Sequence, residues 1–340
     1  MKTPATAVSA ADVSVGLRSR YSAWADLFKA RLTSLVLLTT AVGFYLGSRE
    51  PLNVLLMVHT LLGTALLAAG AAALNQYLER EYDARMPRTA NRPLPTGEIT
   101  PGAALAVGAV MSVVGMCQLT FAVNPLTGIL GVITLATYLF VYTPLKRVTT
   151  LNTLVGAVPG ALPPLMGWTA AAGTLSLGGW TLFTLLFFWQ LPHFMAIAWL
   201  YREDYARGGF RMLSVVDPGG RRTGMTAVRH TLALLGFSLT PYLAGIAGLG
   251  YLWCALVLGI GFLVCAVRFA MRLQGRDARL LFFASILYLP LILGILVVDK
   301  TRHLTYSGGD FEKGAVVRTI PLDAGGRSGQ PEALVGSTSI

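Results

Sequence analysis

The sequence predicts an all-α, polytopic membrane protein with nine transmembrane helices bundled around a central cavity. Three observations predict it. Apolar runs of about 20 residues, the length that crosses a bilayer, recur over most of the 340 residues. Charged residues make up only 13% of the chain, where a soluble domain carries about 25%, and the mean hydropathy is +0.62. The basic residues gather in short loops after alternate apolar runs. Helices satisfy their own backbone hydrogen bonds in lipid, and no alternating barrel pattern competes.

Taken in order, residues 1–23 form an N-terminal segment without the apolar core of a cleaved signal peptide. The bundle occupies 24–299. Its spans are expected at 33–48 (short, and longer if it starts near Trp24), 53–74, 102–122, 126–143, 151–171, 179–200, 230–249, 251–270 and 280–298. Residues 300–340, rich in Gly, Ser and Thr and lacking a period, read as a disordered tail in which His303 carries no functional weight. Cys117, Cys254 and Cys265 lie in apolar runs, with no CxxC or Cys/His cluster, and are expected to be small core residues.

The formal charge of +11 would point to nucleic acid in a soluble protein. Here it does not, because 21 of the 27 basic residues sit in the N-terminal segment and the loops after even-numbered spans. That pattern sets topology and leaves room for a polyanionic ligand. It places the N-terminus and the charged loops in the cytoplasm and the C-terminus on the other face. No Arg-rich, acid-poor presequence precedes the spans, so a bacterial inner membrane is expected over a mitochondrial one.

The segment "NQYLEREYDARMPRTANRPLPTG", residues 75–97, crowds acids and arginines where a span leaves the bilayer. Asn75, Glu79 and Asp83 are spaced i, i+4, i+8, which stacks them along about 12 Å of one helix face. An amide oxygen and two carboxylates suit Mg²⁺ shared with substrate phosphates. A solvated helix end is the alternative, and it serves for Glu81 with Arg85. It does not serve for the other three, because polar groups inside a span line cavities. A second acid, Asp204, lies just past the sixth span in "HFMAIAWLYREDYARGGFRML" beside Arg202, Glu203, Arg207 and Arg211. His193 precedes it by eleven residues, close to three turns, so the two share a face if the helix continues.

Lys29, Arg31, Arg88, Arg92, Lys146 and Arg147 are candidate anion binders, each of which alone would serve as a topology determinant. Acids and bases together fit an anionic ligand that arrives with its own metal. His193 reads either as a proton-handling group or as a helix–helix hydrogen bond. His59 and His230 are expected to be structural. Asn152 either bonds a substrate headgroup or caps the fifth span.

The first segment, with Asn, an acid four on, Asp four further and then M-x-R-T-x-x-R-P, resembles the first aspartate-rich motif of the UbiA superfamily of intramembrane prenyltransferases. It is closest to the branch that farnesylates protohaem IX. "LPHFMAIAWLYREDYARGGFRMLSV" resembles that branch's second motif, and "YTPLKRVTTLNTLVGAVPGALPPLMGW", residues 142–168, its middle segment. The likeness spans roughly residues 24–298.

The resemblance implies a UbiA-type bundle in a lipid bilayer and Mg²⁺-dependent transfer of farnesyl from farnesyl diphosphate to a vinyl group of protohaem IX. The product would be haem O, with a haem A synthase acting downstream. It implies Asn75, Glu79, Asp83 and Asp204 as the metal and diphosphate set. Lys29, Arg31, Arg88, Arg92, Lys146, Arg147, Asn152, His193 and Arg202 would then meet substrate, His193 as an axial haem ligand in one reading. Glu79 stands where the commoner motif has Asp, E-D-Y replaces D-x-x-x-D in the second motif, and "FKAR" replaces the expected Lys-Pro-Arg. A prenyltransferase for an aromatic acid or chlorin is the alternative within the class. An anionic-solute transporter is the alternative outside it, although no paired, interrupted segments support it.

Overall fold

The computed structural model describes residues 20–49 and 51–301. The N-terminal segment up to residue 19 and the tail from 302, including His303, lie outside the described residues. Among the described residues, nine long helices follow a helical stretch over 20–27. They are α1 (Ala30–Gly47), α2 (Val54–Asp83), α3 (Pro101–Val123), α4 (Pro125–Val148), α5 (Asn152–Ala172), α6 (Leu177–Leu200), α7 (Arg221–Phe237), α8 (Leu249–Arg272) and α9 (Gly275–Val298). Seven of them are long and apolar enough to cross a membrane; α5 and α7 fall outside that set. The chain is thus an all-helical, multi-pass membrane protein, but nine spans is more than length and composition alone support. α7 has 17 residues, and α5 holds Pro159, Pro163 and Pro164 inside a largely buried helix.

Local sequence explains the ends. Asn53, Thr100 and Asn124 cap α2, α3 and α4 by accepting from backbone N–H groups of their first turns, and Pro101 and Pro125 sit where a missing N–H costs nothing. In α4 the ladder widens into π geometry over Thr137–Tyr142, and the helix then resumes over Thr143–Val148. Small residues set the closest helix contacts, as expected where no hydrophobic force drives helices together. Gly70 of α2 lies on Ser112 and the Gly108 carbonyl of α3, and Gly43 of α1 lies on the Pro164 carbonyl of α5. A Cβ at either glycine would overlap backbone or a side chain.

α1 packs on α5, α2 on α3, α5 on α6, and α6, α7, α8 and α9 pack in sequence. The largest core cluster gathers Trp168, Leu185, Trp199, Tyr251, Phe262, Phe269 and Tyr288. Large apolar side chains such as Val110, Phe121, Phe140, Trp253, Val257 and Met271 face outward. On a soluble monomer they would be a liability; here they face lipid.

Several expectations need correction. The expected seventh span, 230–249, is instead α7 over Arg221–Phe237 and a short helix Thr240–Leu243. The chain breaks at Ser238, ahead of Pro241 and of Gly245 in the left-handed region. α6 does not continue to Asp204. It ends at Leu200, and after Tyr201 a separate short helix runs Arg202–Arg207, so the face shared by His193 and Asp204 is lost. Glu81 pairs with Arg80 at 3.0 Å, not with Arg85, which lies over the Tyr82 ring. Cys117 is exposed and the other two cysteines are partly so, because apolar runs here face lipid as often as core. Lys300 and Thr301 are tied to the bundle: Lys300 donates to the Tyr45 and Ser48 carbonyls, and Thr301 N–H donates to that of Ile246.

Candidate active site

α2 continues past its apolar stretch to Asp83, so Asn75, Glu79 and Asp83 follow one another down one helix face. They are 1%, 5% and 1% exposed, and each meets a cation from another part of the chain. Lys146 on the last turn of α4 donates to both Glu79 oxygens, at 2.8 and 3.1 Å. Arg92, in the loop after α2, pairs with Asp83 Oδ2 at 2.5 Å. Lys29, at the start of α1, donates to Asn75 Oδ1 at 3.1 Å. Buried carboxylates are tolerable only when paired in this way.

Lys29 is the most unusual of the three. It adopts the left-handed region, φ 48 and ψ 51, which costs a non-glycine residue about 1 kcal/mol or more. The turn is held from behind by Gln76, whose Nε2 donates to the Asp26 and Leu27 carbonyls at 3.0 and 2.9 Å. Adjacent α2 residues thus hold the Lys29 ammonium and the turn before it, whose Asp26 carbonyl also accepts from the Lys29 N–H. The residue keeps part of its surface open, but burial of its charged end, then the Arg92 and Lys146 charges, push its pKa down to about 7; Glu79 and Asp83 oppose the shift.

An aromatic wedge joins this face to the segment after α6. Phe210 is buried between Tyr82, at 6.0 Å, and Tyr205, at 6.2 Å, and Lys146 lies over Tyr142 and Phe210. Arg88 sits over Tyr201 and Tyr205. Arg147 bonds the Tyr82 hydroxyl and stacks on its ring. A cavity of about 250 Å³ opens beside the wedge, lined by Glu79, Tyr82, Thr143, Arg147 and Phe210 among others.

The structure therefore brings together Lys29, Asn75, Glu79, Asp83, Arg92 and Lys146, with Arg147 and Arg88 at the rim. Asp204 lies half-buried in the short helix and makes no side-chain bond or ion pair with another described residue. Arg31 points outward, and Arg202 stacks on Trp199. Asn152 does not cap α5, whose N-cap is Leu151; its amide ties the Thr149 and Arg211 carbonyls together.

His193 is clamped between α6 and α9. Nδ1 bonds Ser285 Oγ at 2.7 Å, and the ring stacks on Trp189 and Phe282. His59 bonds Gln118 and His230 the Thr226 carbonyl, as structural histidines do. Sequence reasoning missed Gln76, Thr143 (which accepts from Asn75 Nδ2 at 3.1 Å), Tyr82 and Phe210. A second amide beside Asn75 within a span was the one available signal, for Gln76; the others have ordinary types in ordinary places.

Among the described residues no three His, Cys, Asp or Glu side chains cluster as a metal cage. The oxygen set of Asn75, Glu79 and Asp83 is still hard and anionic. It fits a Mg²⁺ ion whose remaining ligands come from phosphate and water.

An all-helical membrane bundle with paired acids and cations at a cavity is the architecture of an intramembrane prenyltransferase, and the comparisons agree. Residues 36–287 match the UbiA prenyltransferase family, and the chain belongs to that family. It is 47% identical over 284 residues to the Protoheme IX farnesyltransferase of Solibacter usitatus (strain Ellin6076), covering 81% of this chain and 97% of that protein. Among solved structures it resembles a digeranylgeranylglyceryl phosphate synthase, with TM-score 0.71, 16% identity, and 83% of this chain and 98% of that one covered. It also resembles a UbiA homologue from Archaeoglobus fulgidus bound to GPP and Mg²⁺, with TM-score 0.57, 15% identity, and 81% and 99% covered. At these identities the two structures speak for the fold alone.

Proposed function

We propose that this chain transfers farnesyl from farnesyl diphosphate to a vinyl group of protohaem IX, giving haem O and diphosphate. The observation that carries the reading is the set of buried acids on α2, each already matched by a cation from elsewhere. A metal–diphosphate complex can insert between such partners, the metal taking the carboxylates and the phosphates taking Lys146, Arg92 and Lys29. The acceptor is read from a relative 47% identical over nearly its full length, which is a Protoheme IX farnesyltransferase.

Mg²⁺, when bound, would neutralise charge developing on the leaving diphosphate. Asn75, Glu79 and Asp83 would hold it, with Asp204 supplying a further oxygen from the opposite segment. Lys146, Arg92 and Lys29 bind phosphate oxygens and strengthen as negative charge accumulates in the transition state. Arg147 and Arg88, fixed on tyrosine faces, guide the remaining anionic groups, and Arg31, Arg202 and Asn152 take peripheral places. The farnesyl C1–O bond breaks, C1 joins the terminal vinyl carbon, and the resulting cation beside the porphyrin ring takes water and releases a proton. The aromatic wedge and lipid-facing walls keep bulk water from the allylic carbon until that bond forms. We assign His193 to holding α6 against α9, since its Nδ1 and both ring faces are committed there.

The proposed setting is a bacterial inner membrane with the charged loops and N-terminus in the cytoplasm. Haem O would then pass to a haem A synthase or directly into haem–copper oxidase assembly. The test is mass spectrometry for hydroxyethylfarnesyl porphyrin after incubation with protohaem, farnesyl diphosphate and Mg²⁺. Product is expected from the wild type and nearly none from Asp83→Ala. Labelling of 4-hydroxybenzoate but not of protohaem would overturn the assignment.

A further inference from the structure

A second cavity is basic and has no carboxylate in its lining. Arg221, Arg222, Met225, Thr226 and Arg229 of α7, with Leu213 opposite, line a space of about 570 Å³. These α7 positions share one face over about 12 Å. The other face, through Thr223, Gly224, Ala227, Thr231 and Leu234, is buried against α6 and α8. The three arginines are exposed, and none has an ion pair or hydrogen-bonding side-chain partner among the described residues. Asp217, the acid nearest in sequence, does not neutralise them. Its Oδ2 is taken by the Thr223 N–H at 2.8 Å and the Thr223 hydroxyl at 3.0 Å.

Such a concentration of unmatched cations is costly twice over. Arg221 and Arg222 begin a helix with no acid in its first turn, where the macrodipole is already positive. Arg229 sits two turns further along a helix of a membrane bundle, where an exposed guanidinium without a counter-ion is unfavourable. Beyond it the same face turns apolar with exposed Leu232, and Met225 lies exposed between the arginines. The face reads as cations followed by apolar surface, the complement of an amphiphile with an anionic head and a hydrocarbon tail.

We propose that this cavity binds the headgroup of an anionic phospholipid. Guanidinium forks from Arg222 and Arg229 take the phosphate oxygens, Arg221 supplies the additional charge that selects a net-negative head, and an acyl chain runs along Met225 and Leu232. Basic pockets at the edge of membrane bundles suit such heads. No residue assigned above to metal or substrate lines this cavity, so the lipid is taken as a ligand distinct from the substrates.

The experiment uses the full chain, purified in detergent and stripped of lipid, then offered phosphatidylglycerol or phosphatidylcholine with identical acyl chains. Lipid retention is read by native mass spectrometry and stability by the thermal midpoint. Wild type is expected to retain phosphatidylglycerol about tenfold better and to gain about 3 °C from it. R222Q/R229Q is expected to lose that preference, and R222K/R229K to keep most of it, while farnesyl transfer persists in both. Equal retention of the two lipids by wild type, or an unchanged preference in R222Q/R229Q, overturns the proposal. So does a preference for protohaem or inorganic pyrophosphate that disappears with the arginines, since the anion would then be a soluble substrate's. Should R222Q/R229Q fail to fold, the two lipids on the wild type and R222K/R229K decide the matter.

Discussion

The two acid-bearing segments of the site are built in opposite ways. On α2, Asn75, Glu79 and Asp83 are buried and each already holds a cation or amine: Lys29, Lys146 and Arg92. In the short helix Arg202–Arg207, Asp204 is half-buried and its side chain pairs with no other described residue. The first half is a charge-balanced part of the fold. The second is an unclaimed carboxylate, connected to the first through Tyr205, Phe210 and Tyr82. On the proposed function, the α2 residues contribute to stability as well as chemistry, while Asp204 answers only to the ligand.

The comparison can be broken first at Asp83. Asp83→Asn should lower farnesyl transfer by roughly 10³-fold, measured as product per unit time, and should also lower the thermal midpoint because Arg92 is left without its partner. Loss of activity with an unchanged midpoint would mean that the pair does not stabilise the fold. The next effect is at the Lys146–Glu79 pair. Either Glu79→Gln or Lys146→Met should cost roughly 10²-fold in kcat/KM. Combining them should recover stability, with a coupling of about 1–3 kcal/mol in a thermal-unfolding cycle, but no activity. A double variant no more stable than the worse single one would argue against a preformed pair.

Asp204→Asn sharpens the other side. The Mg²⁺ concentration for half-maximal activity should rise about tenfold, with stability unchanged to within about 0.5 kcal/mol. A substantial fall in stability would show that Asp204 is built into the fold after all. The smallest effect is expected at His193. His193→Phe keeps the stack on Trp189 and Phe282 and loses the Ser285 bond, at a cost of about 1 kcal/mol and with activity within about threefold. Collapse of activity at intact stability would restore His193 as a substrate-binding group.

Much of the architecture was legible because lipid imposes a one-dimensional rule. A helix must be long, apolar and closed at its ends, and each of these properties can be read along the chain. α2, α3, α6, α8 and α9 follow that rule. α7 does not, because its arginines and its break at Ser238 belong to a helix that packs between α6 and α8 and meets the rule only in part. The turn at Tyr201 was equally hidden, since no Gly or Pro marks it.

Residue order alone puts Asn75, Glu79 and Asp83 on one face, crowds cations at the same end of the bundle and marks the chain as a membrane helix protein. Spacing and composition suffice for these, because a helix converts intervals of four into a line. That Lys146 meets Glu79, Arg92 meets Asp83 and Lys29 meets Asn75, with Gln76 holding the turn before Lys29, follows from three-dimensional packing. Arg92 and Asp83 are nine residues apart, but the Lys29 and Lys146 partnerships span 46 and 67 residues and depend on how helices rotate and approach one another. Those angles are set by close contacts such as Gly43 on Pro164 and Gly70 on Ser112, which no local pattern encodes.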